Sequence, residues 1–535
     1  MGRVKLRRGL VVGALDAAND ALLSEVFVDT GVLARLRDPA DAAFLVIGRT
    51  GSGKTALLSE LERRETHCRR LDPEELSMQY LQNSQILRFL TSLKINLEIF
   101  YKYLWRHVCV LELSRLRYEG LEPPGPISRF FRTKAAQAQE AATTYAGKHQ
   151  DFWITSERCV QSVVDQVTNK LEEDFEGKFA VKAGGLQAGL SATKQEQHAT
   201  NRTISADETR RVQEIVSSVL VTELNAALES LAAGGFQNKQ QHYFLLIDDL
   251  DKNWMPDDSL YLELLRCLLQ SVRDINTRLS TVKIVVALRE NIYHRIFTDM
   301  NRGPQREKWN DYTVKVRWTR NELTQMLTER VAALFRQHYT KEGATLADVL
   351  PSPRKARKPE PMSYILDRTL DRPRDVIRFV NMAIEYATKE GPAVITWASL
   401  RKIDRMYSID RLESLIDEWR DSYPFLGALC EVPRLLGVHF RARDMTDEVL
   451  AAVYAHKSAQ ASSWLEGLVG SEWRLEMLKI LVITGVLGVK EGPEAPVSYS
   501  WEDPTARLDE STIEGALFEV HTVFHRALGI GDAAD

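Results

Sequence analysis

Three apolar runs punctuate the chain: Phe44-Leu45-Val46-Ile47, Tyr243-Phe244-Leu245-Leu246-Ile247 and the stretch from Lys283 to Leu288. Each is too short for a helix and lacks polar alternation, the pattern of strands covered on both faces of a parallel sheet. A shorter stretch, Thr313 to Trp318, predicts a last core strand that leads into a helix near Asn321-Glu322-Leu323. Helical spacing takes over elsewhere. Ala56 to Leu61 reads as the first turns of a helix, and Ser205 with Glu208 forms a capping box. Behind that box, Val212, Ile215, Val216, Val219, Leu224, Leu228 and Leu231 repeat at helical intervals until Gly234-Gly235. Near the C-terminus, Leu475 to Val482 predicts a helix. Gly485 to Val489 and Val497 to Trp501 predict a hairpin around Gly492-Pro493, followed by a strand at Phe518 to His521 and a closing helix at Val523 to Leu528. Strands alternating with helices predict an α/β class.

Directly between the first strand and the first helix stands Gly48-Arg49-Thr50-Gly51-Ser52-Gly53-Lys54-Thr55. It fits the G-x-x-x-x-G-K-[ST] phosphate-binding loop in the strand, loop, helix context that the motif requires. Glycines let successive N–H groups point at a β-phosphate, Lys54 brings a positive charge to the β/γ oxygens, and the Thr55 hydroxyl is placed to ligate Mg²⁺. ATP with Mg²⁺ is therefore the expected cofactor.

The second apolar strand ends in Asp248-Asp249-Leu250-Asp251. Asp248 is expected to support Mg²⁺, and Asp249 to act as base or positioner for the attacking water, with Asp251 and Glu290 as alternatives. The third strand ends in Arg289-Glu290-Asn291, polar groups where a γ-phosphate sensor would lie. An acidic loop capping the next helix is the plain alternative for the aspartates.

Ile247-Asp248-Asp249-Leu250-Asp251, with the later segment Arg372-Pro373-Arg374-Asp375-Val376-Ile377-Arg378-Phe379-Val380-Asn381, resembles the KAP-like and STAND-like branches of bacterial P-loop ATPases, in the same broad division as AAA+ proteins. Two departures mark the match, Lys252 at the end of the first motif and Arg372 at the start of the second. The resemblance covers roughly residues 20 to 420. It implies an ATP-dependent switch or mechanoenzyme of the ASCE type, often in antiphage or mobile-element systems, and makes Arg374 the arginine that approaches the nucleotide from a helical lid. Pro373 itself suits the first turn of a helix.

KAP proteins typically carry transmembrane helices between the two nucleotide motifs. Here the most apolar part of that interval, Ile86 to Leu113, holds Lys94, Glu98, Lys102 and Arg106 every fourth residue, which predicts an amphipathic helix and no membrane span. The chain is thus placed with the soluble STAND-like group. Its 535 residues leave room for several domains, 44% hydrophobic residues suffice for several cores, and a formal charge of −4 gives no global pull toward nucleic acid. Five scattered cysteines lack C-x-x-C spacing, so neither zinc nor a disulfide framework is expected. Arg7-Arg8 and the following apolar run stop at Asp16, unlike an export signal, and a cytoplasmic location is expected.

Two basic stretches, residues 176–195 and Pro351 to Pro361, admit nucleic-acid contact or plain solvated connection. Arg295, Arg302 and Arg306 stand where ring-forming relatives place an arginine that acts on a neighbour. The expected division is 1–65 and 236–320 for the two parts of the ATPase core, 66–235 for a mainly helical insertion, 321–402 for the helical lid, and 403–535 for an interaction domain compatible with a winged helix. No catalytic motif stands out after residue 403, so a homo-oligomer that recruits a separate effector, a nuclease or toxin, is one reading. A DNA-dependent ATPase or translocating motor is the alternative, and a nucleotide-locked scaffold is a third.

Overall fold

The computed structural model describes residues 4–71, 95–118, 133–148, 212, 214, 221–250, 259–298, 306–339, 344–353, 360–420, 422–456, 473–490, 492, 495–501, 513 and 515–531. The chain divides into two compact units. One comprises residues 31–49 and 54–316, the other residues 1–30, 50–53 and 317–535.

In the first unit, α1 (Val32–Arg37) precedes β1 (Leu45–Gly48) and α2 (Lys54–Arg64) follows it. With β2 (Cys68–Leu71), β3 (Tyr243–Ile247), β4 (Val282–Arg289) and β5 (Thr313–Lys315), β1 builds a parallel sheet in the order β2-β3-β4-β1-β5. The strand that feeds the phosphate loop and the strand that ends at Asp248 are not neighbours, because β4 lies between them. This is the expected α/β P-loop NTPase core. β1 and β3 are buried along their whole length, as their unbroken apolar runs require.

Two features of the sheet were not legible beforehand. β2 lies inside the stretch expected to be mainly helical, and its sequence, Cys-Arg-Arg-Leu, has no strand-like apolar run. The charges are met in the fold: Arg69 pairs with Glu112 at 2.9 Å and Arg70 with Glu62 at 3.3 Å. In β4, Lys283 is buried and donates to the carbonyls of Arg35, Asp38 and Asp41 at 2.6–2.9 Å. Three acceptors satisfy one ammonium and tie the end of α1 to the sheet, while burial pulls the Lys283 pKa down to about 8.

The charged ladder expected on an amphipathic helix is found on α3 (Glu98–Tyr118), facing α4 (Ser259–Arg278). Glu98 meets Lys102 at 2.7 Å and Arg266 at 3.2 Å, Arg106 meets Asp274 at 2.7 Å, and the Trp105 indole donates to the Leu264 carbonyl. The ladder is thus a helix-to-helix seam. Lys94 and the predicted start of the helix fall outside the described residues, as do the Ser205 capping box and the 176–195 stretch. Among the described residues, no helix is long and apolar enough to cross a membrane.

The second unit is largely helical. α5 (Arg320–His338) opens with a capping box of Thr319 and Glu322, α6 (Pro373–Lys389) starts with Pro373 in its first turn, and α7 (Trp397–Trp419) runs beside it. Residues 1–30 belong to this unit. The Asn381 amide grips the segment, accepting from Val12 N and donating to Gly13 O, and Arg330 forms a buried pair with Asp20 at 2.7 Å.

At the C-terminal end, α8 (Trp473–Thr484) leads into an antiparallel sheet of β6 (His439–Phe440), β7 (Leu487–Lys490) and β8 (Leu517–Val520), in the order β6-β8-β7. The expected hairpin is present as one antiparallel bridge, Val489 to Ser498, with an N–H···O bond of 2.9 Å in each direction, and β7 also pairs along its length with β8. A side chain at Gly488 would meet Val497 at 2.2 Å and Tyr499 at 2.8 Å, the two residues that flank Ser498.

Candidate nucleotide site

The loop after β1 turns through two left-handed residues, Gly51 at φ 76° and Gly53 at φ 97°, a conformation that glycine adopts without steric cost. It ends on the first turn of α2, where unpaired N–H groups and the helix dipole favour an anion. Lys54 Nζ donates to the carbonyls of Gly48 at 2.9 Å and Arg49 at 3.2 Å, so its charge is held over the loop. The Ser52 hydroxyl is buried without a hydrogen-bond partner.

The Thr55 hydroxyl lies near the Asp248 carboxylate and acts to lower its pKa. Asp248 is 5% exposed. Its Oδ1 accepts from Asp249 N at 2.9 Å, but Oδ2 has no hydrogen-bond partner. Burial, then the neighbouring charge of Asp249, raises the Asp248 pKa, against the smaller lowering effects of Thr55, the Asp249 amide and Arg70. A buried carboxylate oxygen left open next to a threonine hydroxyl and a phosphate-loop motif is a fit for Mg²⁺, whose oxygen ligands include carboxylates, hydroxyls and nucleotide phosphates. The donor set therefore suits an Mg²⁺-nucleotide.

Asp249 adopts φ 54°, in the left-handed region that only Gly, Asn and Asp visit readily. Such backbone is held by its surroundings and aims the side chain away from the direction that a strand would give it. Arg289, the last residue of β4, stands in register with Gly48 at the start of the loop, while Ile247, just before Asp248, is in register with Val286. Parallel register thus brings the ends of β1, β4 and β3 to one edge of the sheet.

Arg374 lies in the second unit with loop residues 50–53. Its amide faces the Gly51 carbonyl at 3.4 Å, its Nε donates to Leu15 O at 3.1 Å, and burial lowers its pKa. Arg302 and Asp251 fall outside the described residues, and so does the Arg306 side chain; Arg295 lies on the Glu290–Thr298 helix.

Three further residues bear on the site. Arg70 of β2 acts electrostatically on Asp248, but no strand was expected there. Trp318 Nε1 donates to Ser52 O at 2.7 Å, and the Arg372 guanidinium donates to Thr50 O at 2.8 Å. Both serve backbone carbonyls far away in sequence, a role that leaves no spacing signal.

Residues 321–416 match the family described as the FunZ-associated C-terminal helical domain, which here comprises α5, α6 and most of α7. A protein of Escherichia coli (strain K12), named for transposon gamma-delta and of 80.3 kDa, is 21% identical over 423 residues, covering 77% of this chain and 52% of its own length. The chain thus spans about half the length of the curated relative it matches. The structure of the Aeropyrum pernix ORC1 protein in complex with DNA aligns over 94% of this chain and 93% of its own, at 13% identity and a TM-score of 0.32, a likeness too loose to argue from.

Proposed function

We propose that the chain binds ATP with Mg²⁺ at residues 48–55 and hydrolyses it, acting as a nucleotide-dependent switch of the KAP-like or STAND-like kind. The carrying observation is the open, buried Asp248 Oδ2 beside the Thr55 hydroxyl, at the end of a strand separated by one from the phosphate-loop strand. Gly51, Ser52 and Gly53 present N–H groups to the phosphates, and Lys54 adds a point charge. Thr55 and Asp248 would hold Mg²⁺, which neutralises charge on the phosphate oxygens. Asp249 orients the attacking water and accepts its proton, Arg289 stabilises charge from the tip of β4, and Arg374 responds to the nucleotide from the helical unit.

The relative named for a transposon favours a setting in mobile DNA. The DNA-dependent ATPase reading is therefore kept beside the switch reading. ATP hydrolysis by the purified full chain, with and without duplex DNA, tests both. Hydrolysis lost in Lys54→Ala is expected. Stimulation of about tenfold or more by DNA would select the DNA-dependent reading, and absence of hydrolysis under every condition would contradict both.

A further inference from the structure

The phosphate loop has an outer side as well as an inner one. In a planar trans peptide the C=O and N–H point in opposite directions, so whatever fixes a carbonyl also aims the N–H of the following residue. Three consecutive loop carbonyls have donors of their own. Thr50 O accepts from Arg372 Nη1 at 2.8 Å, Gly51 O faces the Arg374 amide at 3.4 Å, and Ser52 O accepts from Trp318 Nε1 at 2.7 Å. The opposed N–H groups are those of Gly51, Ser52 and Gly53, the anion-facing set of the motif.

We propose that Arg372 and Trp318 are positioning residues for nucleotide binding: by fixing the outward carbonyls of Thr50 and Ser52, they pre-organise the N–H nest for the phosphates. The inference rests on the ATP-binding reading above and adds the device that shapes its site.

Arg372 is held from behind. It is 2% exposed, its Nε pairs with Asp375 at 2.9 Å, and its Nη1 also meets Glu418 at 3.2 Å. Arg411 closes the set on the same two carboxylates, at 3.3 Å each. Arg372 at the N-cap of α6, Asp375 on α6, and Arg411 and Glu418 on α7 make a set of two cations and two anions that leaves the guanidinium little freedom, and its planar fork serves Asp375 and the loop carbonyl at once. Burial alone would lower the Arg372 pKa, but Asp375 and Glu418 outweigh it and the net shift is upward. The loop matches this frame closely. A Cβ on Gly51 would lie 2.8 Å from Arg374 Cβ, and one on Gly53 would touch the Trp318 ring at 3.9 Å.

The test compares nucleotide-free wild type, Trp318→Phe and Arg372→Lys by hydrogen exchange of the peptide covering residues 48–56, together with Tm and the affinities for ADP and ATP. Trp318→Phe deletes one N–H and keeps a ring over Gly53; Arg372→Lys keeps the charge and loses the fork. Loop amides are expected to exchange about fivefold or more faster in both, with exchange elsewhere unchanged, and ADP and ATP affinity to fall together by about fivefold to tenfold, as for one lost hydrogen bond. The rate at saturating ATP should stay within about twofold, because the contacts act on binding rather than on the attacking water. Unchanged loop exchange in folded Trp318→Phe overturns the positioning role, and so does faster exchange spread evenly over the chain. Faster loop exchange with unchanged affinities breaks its link to phosphate binding. A wild type that binds neither ADP nor ATP contradicts the proposed function, while the exchange comparison still decides the role of the two residues.

Discussion

The Thr55 hydroxyl acts on the carboxylate of Asp248 to lower its pKa, yet Asp248 keeps one buried oxygen without a hydrogen-bond partner. Burial of an incompletely satisfied carboxylate costs stability, and a site that tolerates this cost is organised for something other than folding.

Asp248→Asn should therefore stabilise the nucleotide-free protein, by about 1–3 kcal/mol, while weakening Mg²⁺-ATP binding. Chemical denaturation without nucleotide and a binding titration with it check the two halves. A variant less stable than wild type would make Asp248 a structural group instead.

The same residue predicts a pH dependence. Its folded-state pKa is raised above the ordinary value of 3.8 by burial and then by Asp249. The stability linked to a raised pKa is complete below the unfolded value and is lost as pH rises through the folded one. Mg²⁺ competes with that same proton, so Mg²⁺-ATP affinity should rise as pH climbs through the raised pKa and level off above it. Titrations at a series of acidic to neutral pH values should show this step in wild type, and a flatter profile in Asp248→Asn. A step of equal size in both would assign it to another group.

Asp249→Asn separates chemistry from binding. Asn tolerates the φ of 54° that Asp249 adopts, so the backbone should be kept. ATP affinity should change little and hydrolysis fall by about 10²–10⁴-fold, the usual contribution of a positioned base. Unimpaired single-turnover cleavage would remove Asp249 from that role and direct attention to Asp251 or Glu290.

The strands legible in the sequence were those whose burial is written in their own side chains: β1, β3 and β4 are apolar almost throughout. β2 was illegible because Arg69 and Arg70 are met by Glu112, Glu62 and Ser59, none of which a local pattern can supply. The phosphate loop and Asp248 could be read because spacing along one short segment carries their chemistry. Arg372 and Trp318 could not, since each acts on a carbonyl more than 260 residues away. The C-terminal hairpin could be read from its turn residues and is met by the antiparallel Val489–Ser498 bridge, whereas the pairing of β7 with the distant β8 left no local signal.

Assembly is the next consequence. If ATP stabilises a homo-oligomer, the assembled form must bind it better by about 5 kcal/mol to move the population from mostly apart to mostly joined. Mass measurement of Asp249→Asn with ATP, with ADP and without nucleotide should give a larger species with ATP. One mass in all three states would contradict nucleotide-driven assembly and leave signalling within a fixed state.

The central claim, that residues 48–55 with Asp248 form an ATP site, is tested most directly by calorimetric titration of Mg²⁺-ATP into wild type and Lys54→Ala. Wild type should bind with one site per chain, and Lys54→Ala should lose about tenfold or more in affinity, because a charge-assisted contact to the phosphates is removed. Equal affinity in two folded proteins, or no binding by wild type, would contradict the account.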